Sequence, residues 1–167
     1  MKRVKINMRY GSHLPILMKI AQITSGPILE LGGGLWSTPF LHWECFRTER
    51  KLFTYEHHPV YYRSLEQYRR PWHEVFLAED WDAIDISGPW SLALVDHDPL
   101  DRRPIEAGRL LHADYVVFHD ATDPARDRHD YPSVWRKFKY QHLFDKVGSP
   151  SMILSNKHDL STFTVKP

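Results

Sequence analysis

Apolar side chains recur every three to four positions across residues 14–23, LPILMKIAQI, the spacing of one helical face. Ser12 is the predicted N-cap of this helix, Pro15 suits its first turn, and Gly26-Pro27 ends it. A short apolar run at 28–31 leads into Gly32, Gly33 and Gly34, and residues 38–46 then predict a second helix. The same grammar repeats downstream. Residues 51–55 predict a strand, 60–68 a helix closed by Pro71, 74–78 and 92–95 two further strands, 105–111 a helix and 115–118 a strand. Strands that alternate with helices predict a parallel sheet covered on both faces. The last third departs from this pattern: a helix is predicted at 133–139, then strands at 142–147 and 152–155 joined by Gly148-Ser149-Pro150-Ser151. So short a connection requires an antiparallel hairpin, because a parallel return needs a long crossover. The predicted fold class is α/β, a doubly wound, mostly parallel sheet of about seven strands ending in that hairpin.

Composition narrows the picture. A chain of 167 residues with 42% hydrophobic residues can bury one sizeable core, and no repeat, low-complexity tract or Gly/Ser-rich linker divides it, so residues 1–167 are expected to form one domain. Lys and Arg total 22 against 21 for Asp and Glu; a formal charge of +1 gives no general attraction to nucleic acid or an anionic membrane. The N-terminal MKRVKINM is basic but lacks the apolar stretch of a secretion signal, and no segment has the length to cross a bilayer, so a cytoplasmic protein is expected. Cys45 is the single cysteine, which excludes an intramolecular disulfide and suits buried packing. Eleven histidines are present without the paired Cys/His spacing of a structural zinc site or an HExxH helix.

Ligands of open parallel sheets bind beyond the carboxyl ends of the strands. The segments leaving the predicted strands are polar: Gly32-Gly33-Gly34, Glu56-His57-His58, Glu79-Asp80-Trp81, Asp96-His97-Asp98 and His119-Asp120. Here the sequence resembles a family. Glu30-Leu31-Gly32-Gly33-Gly34 is similar to the acid-x-Gly-x-Gly turn of class I S-adenosylmethionine-dependent methyltransferases, and Glu56, Asp80 and the terminal hairpin match the same pattern. Ser12-His13-Leu14-Pro15, Asp96-His97-Asp98-Pro99, His119-Asp120 and Ser155-Asn156 extend the likeness to small bacterial members of that family. Trp36 departs from the small residue commoner at its place.

The resemblance implies a Rossmann-like fold, S-adenosyl-L-methionine as cofactor and O- or N-methyl transfer to a small molecule, with neither nucleic acid nor membrane as partner. It places the cofactor's methionine portion against Gly32, Gly33 and Gly34, with Glu30 organising that turn or receiving the ammonium group. Ser37, Thr38, His57 and Asp96 complete the implied cofactor set, and His13 closes over the methionine end. Glu56 would accept both ribose hydroxyls, and Asp80 would face the adenine amino group with Trp81 packed on the ring. His97 is the first candidate for a general base because an unperturbed imidazole titrates near neutrality; Asp96 and His119 are the other catalytic candidates. Substrate contacts are expected from residues 97–104 and 120–136. No metal is expected: Asp96, Asp98 and Asp120 would give magnesium an incomplete ligand set, because Ala121 stands where a further Asp or Asn is needed. Arg102-Arg103 and the basic run at 135–140 read first as solvated faces, with attraction of an anionic substrate as the alternative. Two alternatives stay open. A nicotinamide-dependent oxidoreductase uses a similar turn, although Ser37 holds the place of its third glycine, and a non-catalytic S-adenosylmethionine-binding module suits the short chain.

Overall fold

The computed structural model describes residues 8–121 and 125–165; the basic stretch at 1–7 and the candidate contacts at 122–124 lie outside them. After a 3-10 turn at Met8–Gly11 the elements run α1 (Leu14–Ile23), β1 (Ile28–Leu31), α2 (Ser37–Arg47), β2 (Leu52–Glu56), α3 (Pro59–Leu65), β3 (His73–Leu77), β4 (Leu92–Val95) and α4 (Arg103–Arg109). They continue with β5 (Val116–His119), two short helices, α5 (Ala125–Arg128) and α6 (Tyr131–Trp135), and the hairpin of β6 (Tyr140–Phe144) and β7 (Ser151–Ser155). Seven strands form one sheet in the order β3-β2-β1-β4-β5-β7-β6. The first five are parallel, and β7 pairs antiparallel with both β5 and β6. The α/β, mostly parallel architecture with its terminal hairpin is therefore as the hydrophobic pattern predicts.

Side chains alternate across the sheet and build two cores. Leu29, Leu31, Ala93, Val95, Val116 and Phe118 pack with Ala107 of α4 and Tyr131, Val134 and Trp135 of α6. Ile28, Leu52, Leu92, Leu94 and Val117 face the other way, onto Ile16, Leu17 and Ile20 of α1 and Leu41 and Cys45 of α2. Burial pushes the Cys45 thiol up to about 12, as befits a packing residue with no thiolate chemistry. Among the described residues, no helix is long and apolar enough to cross a membrane.

Three local expectations are corrected. Ser12 does not cap α1: His13 occupies the N-cap without a side-chain bond, because the Ser12 hydroxyl is drawn to Arg9 O and Ser149 O instead. The helix expected at 133–139 is the shorter α6 at Tyr131–Trp135, after which Lys137 N and Phe138 N bond back only three residues, to Val134 O and Trp135 O, in tightened turns that lead to β6. That strand lies at 140–144 rather than 142–147, leaving residues 145–150 to make the turn.

Candidate active site

Strand register aligns the polar exits. Leu31 lies opposite both Tyr55 and Val95, and Val95 lies opposite Phe118, so Gly32, Glu56, Asp96 and His119 leave four adjacent strands at one level. Gly32 N donates to Tyr55 O at 2.8 Å and Asp96 N to Leu31 O at 2.8 Å, which fixes the turn residues against their neighbours. Beyond β3, Ala78 N bonds Glu56 O at 2.9 Å and Asp80 follows two residues later. The row spans the point between β1 and β4 where strand order reverses, the usual binding crevice of such sheets.

Period-two alternation turns Glu30 toward α2, where it is fully buried. Its carboxylate accepts from Thr54 Oγ1 at 2.6 Å and from Thr38 Oγ1 at 2.9 Å, and Thr38 Oγ1 in turn accepts from Gly34 N at 2.9 Å. Glu30 therefore organises the glycine turn through Thr38, the first of the two roles the resemblance implies. Burial pushes its pKa up to about 7, against the opposing hydrogen bonds of Ser37, Thr54 and Thr38. The chain of donors extends further inward. With Thr54 donating to Glu30, the His73 Nε2–H donates to Thr54 Oγ1 at 2.9 Å, which leaves His73 Nδ1 to accept from His42 Nδ1 at 2.9 Å. Burial, then the nearby His42, lower His73 to about 3, so the imidazole is neutral and suited to this relay.

Glu56 is buried at the exit of β2, and its Oε1 accepts from His58 N at 2.7 Å, with half-buried His57 Nδ1 at 3.4 Å. Burial raises its pKa, while the His58 amide and the two imidazoles pull it down. Asp80 is exposed and caps its own turn by accepting from Asp82 N at 2.9 Å. Trp81 is buried, its indole N–H donating to Asp98 O at 3.1 Å and its ring lying 4.1 Å from that of His97. His97 needs a correction. The expectation that it titrates near neutrality does not survive burial, which lowers it to about 3 with help from Arg103. Its Nε2 faces the buried Glu106 carboxylate at 3.6 Å, beneath Trp81.

Asp96 gathers the densest cluster. Its Oδ1 lies 2.9 Å from His119 Nδ1 and 3.1 Å from the Arg103 guanidinium, and its Oδ2 lies 3.8 Å from His13 Nδ1. The His119 proton positions follow from counting donors. The single Ser12 hydroxyl proton is sought by Ser149 O at 2.6 Å and Arg9 O at 2.9 Å, neither of which can donate, so His119 Nε2, 3.0 Å from Ser12 Oγ, must itself be the donor. With Nδ1 donating to Asp96 as well, His119 is an imidazolium. Burial lowers its pKa, but Asp96 outweighs that and the net shift is upward. Burial likewise opposes the Asp96 charge, yet His119, Arg103 and His13 together hold its pKa at about 2. His13 is 1% exposed and neither of its ring nitrogens has a hydrogen-bond partner. Burial lowers its pKa to about 4, with Asp96 opposing.

Arg103 is the residue whose role the sequence reading placed worst, on a solvated face and within the 97–104 substrate segment. It is not part of a solvated basic face: it is 3% exposed and donates to His97 O at 2.7 Å and His119 O at 3.0 Å, while also pairing with Asp120 at 3.4 Å. Its position in the first turn of α4, between two acidic strand exits, was the available signal. Thr54, His73 and His42 carried no comparable signal, because their relay depends on strand register. The basic run at 135–140 is a mixed face, with Arg136 and Lys137 exposed and Trp135 and Phe138 buried. A separate cleft of about 300 Å³, lined by His42, Trp43, Phe46, Tyr68, Arg70 and Trp72, lies at the amino ends of β2 and β3, away from this rim.

No protein-family model and no curated protein matches the chain. Solved structures do. Cofactor-bound Rv0187 from MTB matches with a TM-score of 0.67 at 17% identity, covering 95% of this chain and 84% of that one. The N-methyltransferase NodS from Bradyrhizobium japonicum WM9 gives 0.64 at 12% identity, covering 93% and 100% respectively. The SAH-bound methyltransferase PaMTH1 from Podospora anserina gives 0.61 at 12% identity, with coverage of 92% and 80%. At these identities the likeness speaks for the fold alone, the seven-stranded, mostly parallel α/β sheet that this chain shares with these solved structures.

Proposed function

We propose that the protein binds S-adenosyl-L-methionine along the carboxyl rim of its sheet and transfers the methyl group to oxygen or nitrogen of a small molecule. The observation that carries this reading is the single row of Asp80, Glu56, Gly32–Gly34, Asp96 and His119 across adjacent strand exits. The residues suit the cofactor. A Cβ built on Gly34 meets nothing within 4 Å, which leaves the Cα side of this residue open to a ligand while its N–H is held by Thr38, and Glu56 offers a carboxylate to a ribose diol beside it. Gly32, Gly33, Ser37, Thr38, His13, His57 and Asp96 surround the methionine end in this reading, and Asp80 with Trp81 the adenine.

The cofactor supplies an electrophilic methyl group, so the chain's task is alignment of the acceptor. With His97 neutral and buried against Glu106, that task falls to the Asp96–His119 ion pair. His119 and Arg103 hold Asp96 through Oδ1, so the carboxylate is fixed at the β4 exit and presents Oδ2 as a hydrogen-bond acceptor. A small acceptor suits a formal charge of +1, which gives no general attraction to nucleic acid.

Thermal shift with S-adenosylmethionine, S-adenosylhomocysteine and NAD tests the reading. A ligand at about 100 times its dissociation constant stabilises by about 2.7 kcal/mol, raising Tm by several degrees. Both adenosyl compounds should do so and NAD should not; a response to NAD alone overturns the proposal. Glu56→Ala should weaken S-adenosylhomocysteine in calorimetry at least about tenfold, as expected for loss of a charged hydrogen-bonding partner. Unchanged affinity would remove Glu56 from the site.

A further inference from the structure

His13, Asp96 and His119 come together from the start of α1 and the exits of β4 and β5, each offering one ligand atom, with all of these atoms within 4.8 Å of one another. We infer that they form a binding site for one divalent transition-metal ion of the zinc or iron type, with two imidazole nitrogens and one carboxylate oxygen as protein ligands. This inference rests on side-chain geometry and not on methyl transfer; a bound ion would replace the Asp96–His119 ion pair of the metal-free protein.

Separations between the candidate ligand atoms fit a common ion. Two ligands about 2.1 Å from one metal lie roughly 3.0–3.5 Å apart, depending on coordination angle. One ligand atom from each of the three residues lies within 4.8 Å of the others, with His13 Nδ1 3.8 Å from Asp96 Oδ2, so small side-chain rotations bring the set to that range. The two imidazole rings meet edge to face with centroids 4.5 Å apart, so their nitrogens can converge without stacking.

The independent sign of a missing ligand is His13. A buried polar atom without a partner costs roughly 1–3 kcal/mol, and this ring has two, on a side chain that is 1% exposed and directed at the carboxylate. Its backbone is fixed as the first turn of α1, where His13 O accepts from Ile16 N and Leu17 N. The outer shell also suits metal binding. His119 Nε2–H donates to Ser12, whose own proton goes to Ser149 O, and this orients Nδ1 toward the ion. Coordination releases to solvent the Nδ1 proton that Asp96 otherwise accepts. Arg103 stays on Asp96 Oδ1 at 3.1 Å and on Asp120 Oδ2 at 3.4 Å, leaving Asp96 Oδ2 free to face His13. Two imidazoles favour zinc or iron over magnesium and calcium, which take oxygen ligands. This donor set differs from the all-carboxylate set of Asp96, Asp98 and Asp120, in which the Asp98 side chain is exposed.

Calorimetric titration of the full chain, stripped by chelator, with Zn²⁺ and separately with Mg²⁺ tests the site. Zn²⁺ should bind at one ion per chain and Mg²⁺ should not saturate. His13→Ala should weaken Zn²⁺ at least about a hundredfold, the upper end of what loss of an outer-shell partner alone costs, while the exposed-site control His112→Ala should leave it unchanged. Absence of saturable Zn²⁺ binding, equal affinity in the wild type and His13→Ala, or Mg²⁺ binding as tight as Zn²⁺ each overturns the inference. Should His13→Ala fail to fold, X-ray absorption at the zinc edge of the loaded wild type decides: two imidazole ligands support the site, and fewer than two refute it.

Discussion

Gly32 and Gly34 differ in what a side chain would meet. Gly32 has φ +93°, and an added Cβ would lie 2.4 Å from Asp96 O and 2.7 Å from His97 Cα, both backbone atoms that cannot yield. Gly34 opens onto empty space. Gly32→Ala is therefore expected to lose about 3 kcal/mol or more in urea unfolding, from left-handed strain and overlap together. Gly34→Ala should stay within about 0.5 kcal/mol, as for an unencumbered surface change. Similar losses in both would remove the distinction between a structural and an open glycine. At this scale the sequence made the identity of the rim residues legible and left their states hidden. Glu30 and Glu56 are both acids beside a strand end, yet one bonds two threonines and the other a backbone amide. His97 looks like a base by type and is a neutral core residue by position.

Helix α1 ends at Thr24 in an extended conformation, with no glycine to satisfy its last carbonyls. Arg50, three residues after the end of α2, takes over that task. It is 4% exposed and donates to Ala21 O at 3.0 Å, Thr24 O at 3.2 Å, Gly26 O at 2.6 Å and Ser91 Oγ at 2.8 Å. One guanidinium thus ties α1, the entry to β1 and the entry to β4. Arg50→Lys keeps the charge but cannot span these acceptors, so a loss of about 2–3 kcal/mol is expected in equilibrium unfolding. An unchanged midpoint would show that water replaces the fork. Element types were legible along the chain because hydrophobic period and turn residues are local. Cap and end positions were less so: Ser12 has the chemistry of an N-cap, but Ser149, brought in by the terminal hairpin, competes for its proton.

Stability of the whole molecule should depend on acid through its buried imidazoles. The folded His97 takes up a proton only near pH 3 and an unconstrained one near 6.5, so between those values the unfolded chain binds more protons and stability falls as pH drops. Glu30, raised to about 7, acts in the opposite sense, because its buried carboxyl holds a proton that the unfolded chain has released. A comparison of variant with parent isolates the histidine. In His97→Gln, the loss of unfolding free energy between pH 6.5 and 4 should shrink by about 2–3 kcal/mol, whatever the variant's stability at neutral pH. Parallel curves would mean that the folded protein protonates His97 in this range. By itself the sequence determined the α/β class, the strand succession, the closing hairpin and the set of polar residues at the strand exits, since each follows from neighbours within a few positions. Tertiary structure alone decided which of those residues are charged, which are sealed off and which meet. Ser12 and His119 stand 107 positions apart, and the proton they share depends on a hairpin still farther along the chain. Desolvation and Coulomb interactions depend on distance in space, which a linear pattern does not contain.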